Sequence, residues 1–190
     1  DFASRIARDA ILLAKSRGFR TQINCTVFDG ADPERLAGFF DEMKKIGLDG
    51  ITVSPGYAYE RAPDQQHFLN RTKTKQFFRD VLKRGRGGKE WAFTNSSLFM
   101  DFLAGNQRYE CTPWSMPART VFGWQKPCYL LGEGYAKTYA EMMEGTDWDS
   151  YGVGNYEKRA DCMVHCGFEG TATADAATKP WKLPGLAMRG

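Results

Sequence analysis

Apolar residues recur at helical spacing in Phe2, Ile6, Ala10 and Leu13, and the run stops at Gly18. The next segment, residues 21–28 (TQINCTVF), changes period: apolar and polar side chains alternate, as in a strand with one covered face. Asp32 followed by Pro33 is an N-cap and first-turn pair. It opens a second amphipathic helix that turns Leu36, Phe39, Phe40, Met43 and Ile46 inward before Gly47 ends it. Residues 49–55 (DGITVSP) form the second strand. Two strands joined by a helical crossover run parallel with a right-handed connection, and parallel strands need helices over their faces. The pattern predicts α/β architecture.

Both strands carry a hydrogen-bonding face. Gln22, Asn24 and Thr26 alternate with Ile23, Cys25 and Val27, while Thr52 and Ser54 alternate with Ile51, Val53 and Pro55. A barrel interior lined for a polar ligand would use such a face, with chemistry at the C-terminal strand ends, residues 26–29 and 54–57. A sheet edge turned to water would use it too. The barrel alternative makes Asn24, Thr26, Ser54, Gly56 and Tyr57 the candidate ligand-binding residues.

Beyond Tyr59 the regularity breaks. Residues 60–70 read as a polar loop holding His67, and residues 72–84 as a helix with Phe77, Phe78, Val81 and Leu82 buried and its Lys and Arg side chains solvated. The stretch of Gly85, Gly87 and Gly88 with Arg86 and Lys89 lacks phosphate-loop spacing and reads as a turn. A short strand is predicted at 91–94 and a short helix at 97–104, stopped by Gly105 and Asn106. Residues 120–122 and 125–130 flank Gly123 and Trp124 as a hairpin, with Gly123 at its turn.

Composition narrows the function classes. A 190-residue chain that is 42% apolar can bury a real core. Its 26 Lys and Arg against 23 Asp and Glu leave +3, with both signs mixed, so no nucleic-acid footprint stands out. The longest apolar run, from Ala10 to Ala14, is far short of the roughly 20 residues a membrane span requires, so a soluble or peripheral protein is expected. The chain opens at Asp1 inside a helical pattern, and an N-terminal truncation is expected.

Four of the five cysteines, Cys111, Cys128, Cys162 and Cys166, fall in the last 80 residues, the first two in a C-x11-G-x4-C spacing through Gly123. Thiolates are the ligands that soft metals and iron–sulfur clusters select, so these four are candidate metal ligands. Disulfides of a secreted protein and isolated buried thiols are the alternatives. Cys25, in the first strand, should stand apart. His165, between the last two cysteines, is a substitute ligand or a hydrogen-bonding neighbour.

These residues carry a resemblance. The C-x11-G-x4-C element resembles the opening of the twitch or SPASM auxiliary modules of radical S-adenosylmethionine enzymes. Residues 51–71 (ITVSPGYAYERAPDQQHFLNR), 96–106 (SSLFMDFLAGN), 122–138 (FGWQKPCYLLGEGYAKT) and 160–172 (ADCMVHCGFEGTA) are similar to the radical enzymes of hopanoid biosynthesis, the adenosyl-hopene synthases. The resemblance implies a fold, the last strands of a partial (β/α)6 barrel over residues 1–70, a connecting helical segment over 71–106 and a small α+β Cys-rich auxiliary module over 107–190.

It also implies an activity: addition of the 5′-deoxyadenosyl radical to diploptene to give adenosylhopane. A 4Fe-4S cluster and S-adenosyl-L-methionine are the implied cofactors, and a flavodoxin or ferredoxin the implied reducing partner. The implied location is cytoplasmic, peripheral at the inner face of the cell membrane, because diploptene is a membrane hydrocarbon. The C-x3-C-x2-C loop that ligates the radical-generating cluster in this family does not occur in these 190 residues, so the fragment alone is expected to be inactive. Arg159 stands where the family leads one to expect a cysteine, which puts the ligand assignment of the remaining four in doubt. A small zinc- or iron–sulfur-binding structural module is the competing expectation.

Overall fold

The computed structural model describes residues 2–58, 62–85, 91–128, 130–151 and 161–183. The first half forms the elements the hydrophobic pattern predicts, although Ile6 and Leu13 of the first apolar stripe stay exposed. Helix α1 (Phe2–Ser16) leads into strand β1 (Gln22–Val27), helix α2 (Pro33–Lys45) and strand β2 (Gly50–Pro55). Asp32 caps α2, its carboxylate accepting from the Glu34 amide at 2.9 Å. β1 and β2 pair in parallel, Gln22 opposite Gly50 through Val27 opposite Pro55, as a helical crossover requires.

The strand predicted at 91–94 is reduced to one parallel bridge, Ile51 to Phe93, on the free side of β2. Two hydrogen bonds hold it, Ile51 N to Ala92 O at 2.8 Å and Thr94 N to Ile51 O at 2.9 Å. Helices α3 (Arg71–Arg84) and α4 (Ser97–Leu103) follow, capped by Asn70 and Ser96. Apolar burial centres on their meeting with α2 and β2. Phe40, Val53, Phe78, Phe99 and Leu103 are fully enclosed, and Phe40 packs on Trp91 and Phe93 at 5.1 and 5.2 Å between ring centroids. Each such phenylalanine contributes roughly 1.5–3 kcal/mol of transfer free energy.

The second half departs further from the pattern. The hairpin exists, but its turn is Val121 and Phe122, between β3 (Arg119–Thr120) and β4 (Gly123–Gln125). Gly123 therefore lies within a strand rather than at the turn. Its φ is +127°, and a Cβ there would meet the Ala136 carbonyl oxygen at 2.5 Å, so glycine is what lets β5 (Tyr135–Ala136) pair on the other side of β4. Helix α5 (Tyr139–Glu144) then covers this sheet with Met142 buried.

Helix α6 (His165–Thr178) gave no helical signal in the sequence. It packs on α4, with Phe168 stacked on Phe102 at 4.5 Å, and its buried Phe168, Ala172 and Ala176 join the main core. That core runs across the boundary expected at residue 107. No helix among the described residues is long and apolar enough to cross a membrane.

The far end of α6 is tied down by charge. The Asp175 carboxylate accepts from Lys179 at 2.6 Å, Lys182 at 2.5 Å and the Tyr109 hydroxyl at 3.1 Å. These bonds, Lys179 and Lys182 foremost, hold its pKa down to about 2 against an ordinary 3.8, while burial and the bond to Asp175 push Tyr109 up. A depressed carboxyl stabilises the fold fully above its ordinary pKa and loses that contribution as pH falls through the folded one. Acid denaturation of the wild type should therefore show a loss of stability between about pH 4 and 2 that is reduced in Asp175→Asn; identical acid profiles would show that the network contributes nothing.

Candidate functional site

The C-terminal ends of β1 and β2 open into a cavity of about 460 Å³. All five candidate strand-end residues, Asn24, Thr26, Ser54, Gly56 and Tyr57, line it. Pairing in register puts Asn24 beside Thr52 and Thr26 beside Ser54, so the two strands present their polar side chains on one face. Ser54 is 6% exposed, while Asn24 and Thr26 are open to solvent. Gly56 follows from packing: a Cβ there would lie 2.6 Å from the Phe28 ring, which forms one wall.

Both histidines of the chain reach this cavity, a convergence that sequence spacing gave no means to see. His67 pairs through Nδ1 with Asp64, whose carboxyl is held below its ordinary pKa first by the Gln66 amide and then by His67. The His67 carbonyl accepts from the Asp29 amide at 2.8 Å, and Asp29 is bound by Lys73 at 2.5 Å, which fastens the loop over the strand ends. His165 enters from the opposite side, at the first turn of α6. Burial lowers its pKa against the pull of Glu169, and among the described residues its buried Nδ1 has no hydrogen-bond partner.

Cys25 stands apart from this face. It alternates with Asn24 and packs against the core, where burial raises its thiol pKa and keeps it protonated.

Cys166 lies in the first turn of α6 and Cys162 just before it, and Cys111 Sγ lies close against Gly167 of the same turn. The segment carrying Cys111 is stitched to that helix: the Thr112 amide donates to the Gly167 carbonyl at 2.7 Å, Ser115 Oγ to the Cys166 carbonyl at 3.2 Å, and Thr171 Oγ1 to the Glu110 carbonyl at 2.8 Å. Glycine makes the approach possible. A Cβ on Gly167 would lie 2.3 Å from Cys111 Sγ, and one on Gly170 would lie 2.6 Å from Ser115 Oγ. On the other side Arg71 donates from its guanidinium to the Cys162 carbonyl at 3.1 Å and from its backbone to Asp161 at 3.0 Å. Its positive charge is close enough to attract both the Cys162 and the Cys111 sulfur.

Cys128 comes from the loop after β4. It is buried, and its carbonyl accepts from the Leu131 amide at 3.2 Å. No disulfide joins any of the five cysteines. Among the described residues no group of three or more His, Cys, Asp or Glu side chains is arranged to hold a metal ion as it stands. Arg159 and the glycine-rich residues 86–89 lie outside the described residues. The cysteine-bearing segments also border the strand-end cavity, which is closed by Leu130, two residues after Cys128, and by Val164 and His165, between Cys162 and Cys166.

Residues 51–185 match the family described as a domain of unknown function, DUF3463. The chain belongs to this family. The matched span starts at β2 and takes in the cavity loop, α3, α4 and all four candidate metal-binding cysteines, so the end of β2 and the cysteine segments fall within one family unit, while β1 with Asn24 and Thr26 precedes it. No curated protein and no solved structure matches the chain.

The Gly167 contact is the sharpest steric constraint in the site. Gly167→Ala should lower stability by about 1–3 kcal/mol in chemical denaturation, because either Cys111 or α6 must move. The exposed Gly38 of α2, where a Cβ meets nothing, is the control, and equal effects at the two positions would mean the close approach is not required.

Proposed function

We propose that this DUF3463 chain is the C-terminal part of a radical S-adenosylmethionine enzyme that joins a 5′-deoxyadenosyl group to the terminal alkene of diploptene, forming adenosylhopane. The observation that carries the proposal is the shared cavity, in which polar strand ends and the shoulders of a thiol-rich segment meet. The four sequence stretches that resemble hopanoid radical enzymes lie at or within the family unit, over residues 51–172. Parallel pairing of β1 and β2 is what the last strands of a partial barrel require.

The donor chemistry suits the implied groups: Cys162 and Cys166 at the start of α6, Cys111 against Gly167 and the buried Cys128 on the loop after β4 are soft ligands that would have to close together on an iron–sulfur cluster. Cys111, Cys128, Cys162 and Cys166 would hold it. The chemistry the cofactors supply when bound is one-electron cleavage of S-adenosylmethionine and the radical that follows.

This chain's own residues have different tasks. Asn24, Thr26, Ser54, Gly56 and Tyr57 would bind the polar part of S-adenosylmethionine, and the unpartnered Nδ1 of neutral His165 offers a further hydrogen-bond acceptor or donor at the same cavity. Phe28, Phe68, Leu130 and Val164 exclude water and leave an apolar wall for a hydrocarbon. A flavodoxin or ferredoxin would deliver electrons. The setting would be cytoplasmic, at the inner face of the membrane that holds diploptene.

Anaerobic reconstitution of the 190-residue chain with iron and sulfide tests the cofactor assignment. The expected product is brown, with visible absorption bleached by dithionite, and Cys111→Ala or Cys128→Ala should lose most of its iron. A colourless protein that takes up zinc instead, or iron content unchanged in both variants, would point to a structural module without redox chemistry.

A further inference from the structure

The turn between β3 and β4 is built opposite to most surface turns. Such turns are ordinarily Gly, Asn, Asp or Ser, but here the two turn residues are Val121, 94% exposed, and Phe122, 75% exposed. Part of the turn is bonded from within. The Phe122 amide donates to Thr120 Oγ1 at 3.1 Å, the Thr120 hydroxyl to the Gly123 carbonyl at 3.4 Å, and Thr120 pairs with Gly123 across the ladder. These bonds lower the cost of taking the Phe122 amide and the Thr120 hydroxyl out of water.

Behind the tip stand amphipathic aromatics. Phe122 packs on Tyr135 at 5.6 Å and Trp124 on Tyr139 at 5.2 Å between centroids, and both tyrosines are 44% exposed. Aromatic rings with one wet end favour the level of lipid headgroups. Three cations flank them: Arg119, cross-strand from Trp124, and Lys126 and Lys137 on the segments leaving β4 and β5. None of the three makes an ion pair among the described residues. The neighbouring Glu141 is turned to the Lys137 backbone amide instead, at 3.0 Å.

We propose that this hairpin docks on an anionic lipid surface, with Val121 and Phe122 entering the acyl boundary and Arg119, Lys126 and Lys137 lying among the headgroups. Charge complementarity selects that occupant. The nearby carboxylates are engaged elsewhere, Glu133 by the Tyr151 hydroxyl and Glu141 by the Lys137 amide, so acidic headgroups can meet all three cations while the tip meets hydrocarbon. The inference stands whatever the cysteines bind.

Co-sedimentation of the 190-residue chain with vesicles of phosphatidylcholine, alone or mixed with phosphatidylglycerol, tests it. The vesicles contain no hopanoid and no cofactor is added, so failure here leaves the proposed reaction untouched, and failure of that reaction leaves this result untouched. Wild type should bind the mixed vesicles and release them as salt rises. The V121S/F122S protein should bind roughly tenfold or more weakly, the loss expected when a large apolar side chain no longer leaves water. The K126E/K137E protein keeps the apolar tip and should lose the preference for phosphatidylglycerol; it also provides the test if the tip variant fails to fold. Wild type without preference for the acidic lipid, tip and wild-type proteins binding equally, or a concentration-dependent dimer abolished by V121S/F122S in place of vesicle binding would overturn the proposal.

Discussion

Arg71 lies over two aromatic rings, 5.6 Å from the centroid of Phe102 and 5.7 Å from that of Phe168, and those rings stack on each other at 4.5 Å. The side chain therefore belongs to three elements at once. Its backbone begins α3, its guanidinium covers the seam between α4 and α6, and its outermost donor holds the Cys162 carbonyl. A desolvated cation over aromatic faces contributes on the order of 2 kcal/mol, and a charge-assisted hydrogen bond to a buried carbonyl adds to it. Lysine would lose both the stacking plane and the fork of donors. This tie works with the Ser96 amide bond to Glu169 at 2.8 Å to set the thiol-bearing segment relative to the sheet.

The consequence of that placement is a cavity built from distant parts of the sequence. β1 and β2 supply a polar floor because their side chains alternate in register, and the loop through Asp64 and His67 forms a side wall fastened by Asp29 and Lys73. The first turn of α6 closes the opposite side with His165. Since α6 is held through Phe168 and Arg71, the same contacts that bury its apolar side set the distance between the thiols and the strand ends. Gly167 and Gly170 weaken α6 as a helix, yet they allow the segment from Glu110 to Ser115 to lie against it.

The first half of the fold was legible because each of its elements obeys one period. The helix with Leu36, Phe40 and Met43 inward, the cap at Asp32 and the two alternating strands require no information from elsewhere, and the cavity residues follow from alternation plus parallel pairing. The second half is governed by contacts the sequence does not display. Helix α6 reads as HCGFEGTATADAAT, with two glycines and three threonines that argue against a helix, and only the approach of Cys111 and Ser115 explains the glycines. Gly123 looked like a turn residue because its positive φ was anticipated, but the cause of that φ is the Ala136 carbonyl on a third strand. His67 and His165, nearly a hundred residues apart, line one cavity, which spacing alone does not show.

Under the proposed function the four cysteines of the C-terminal half act together on one iron–sulfur cluster. Native mass spectrometry of the anaerobically reconstituted chain tests it most directly. The account predicts a single added mass of four irons and four sulfides on the intact chain, absent when Cys162 is replaced by alanine and retained when Cys25 is. A chain that keeps its apo mass, carries one zinc, or loses the added mass only on replacing Cys25 would contradict it.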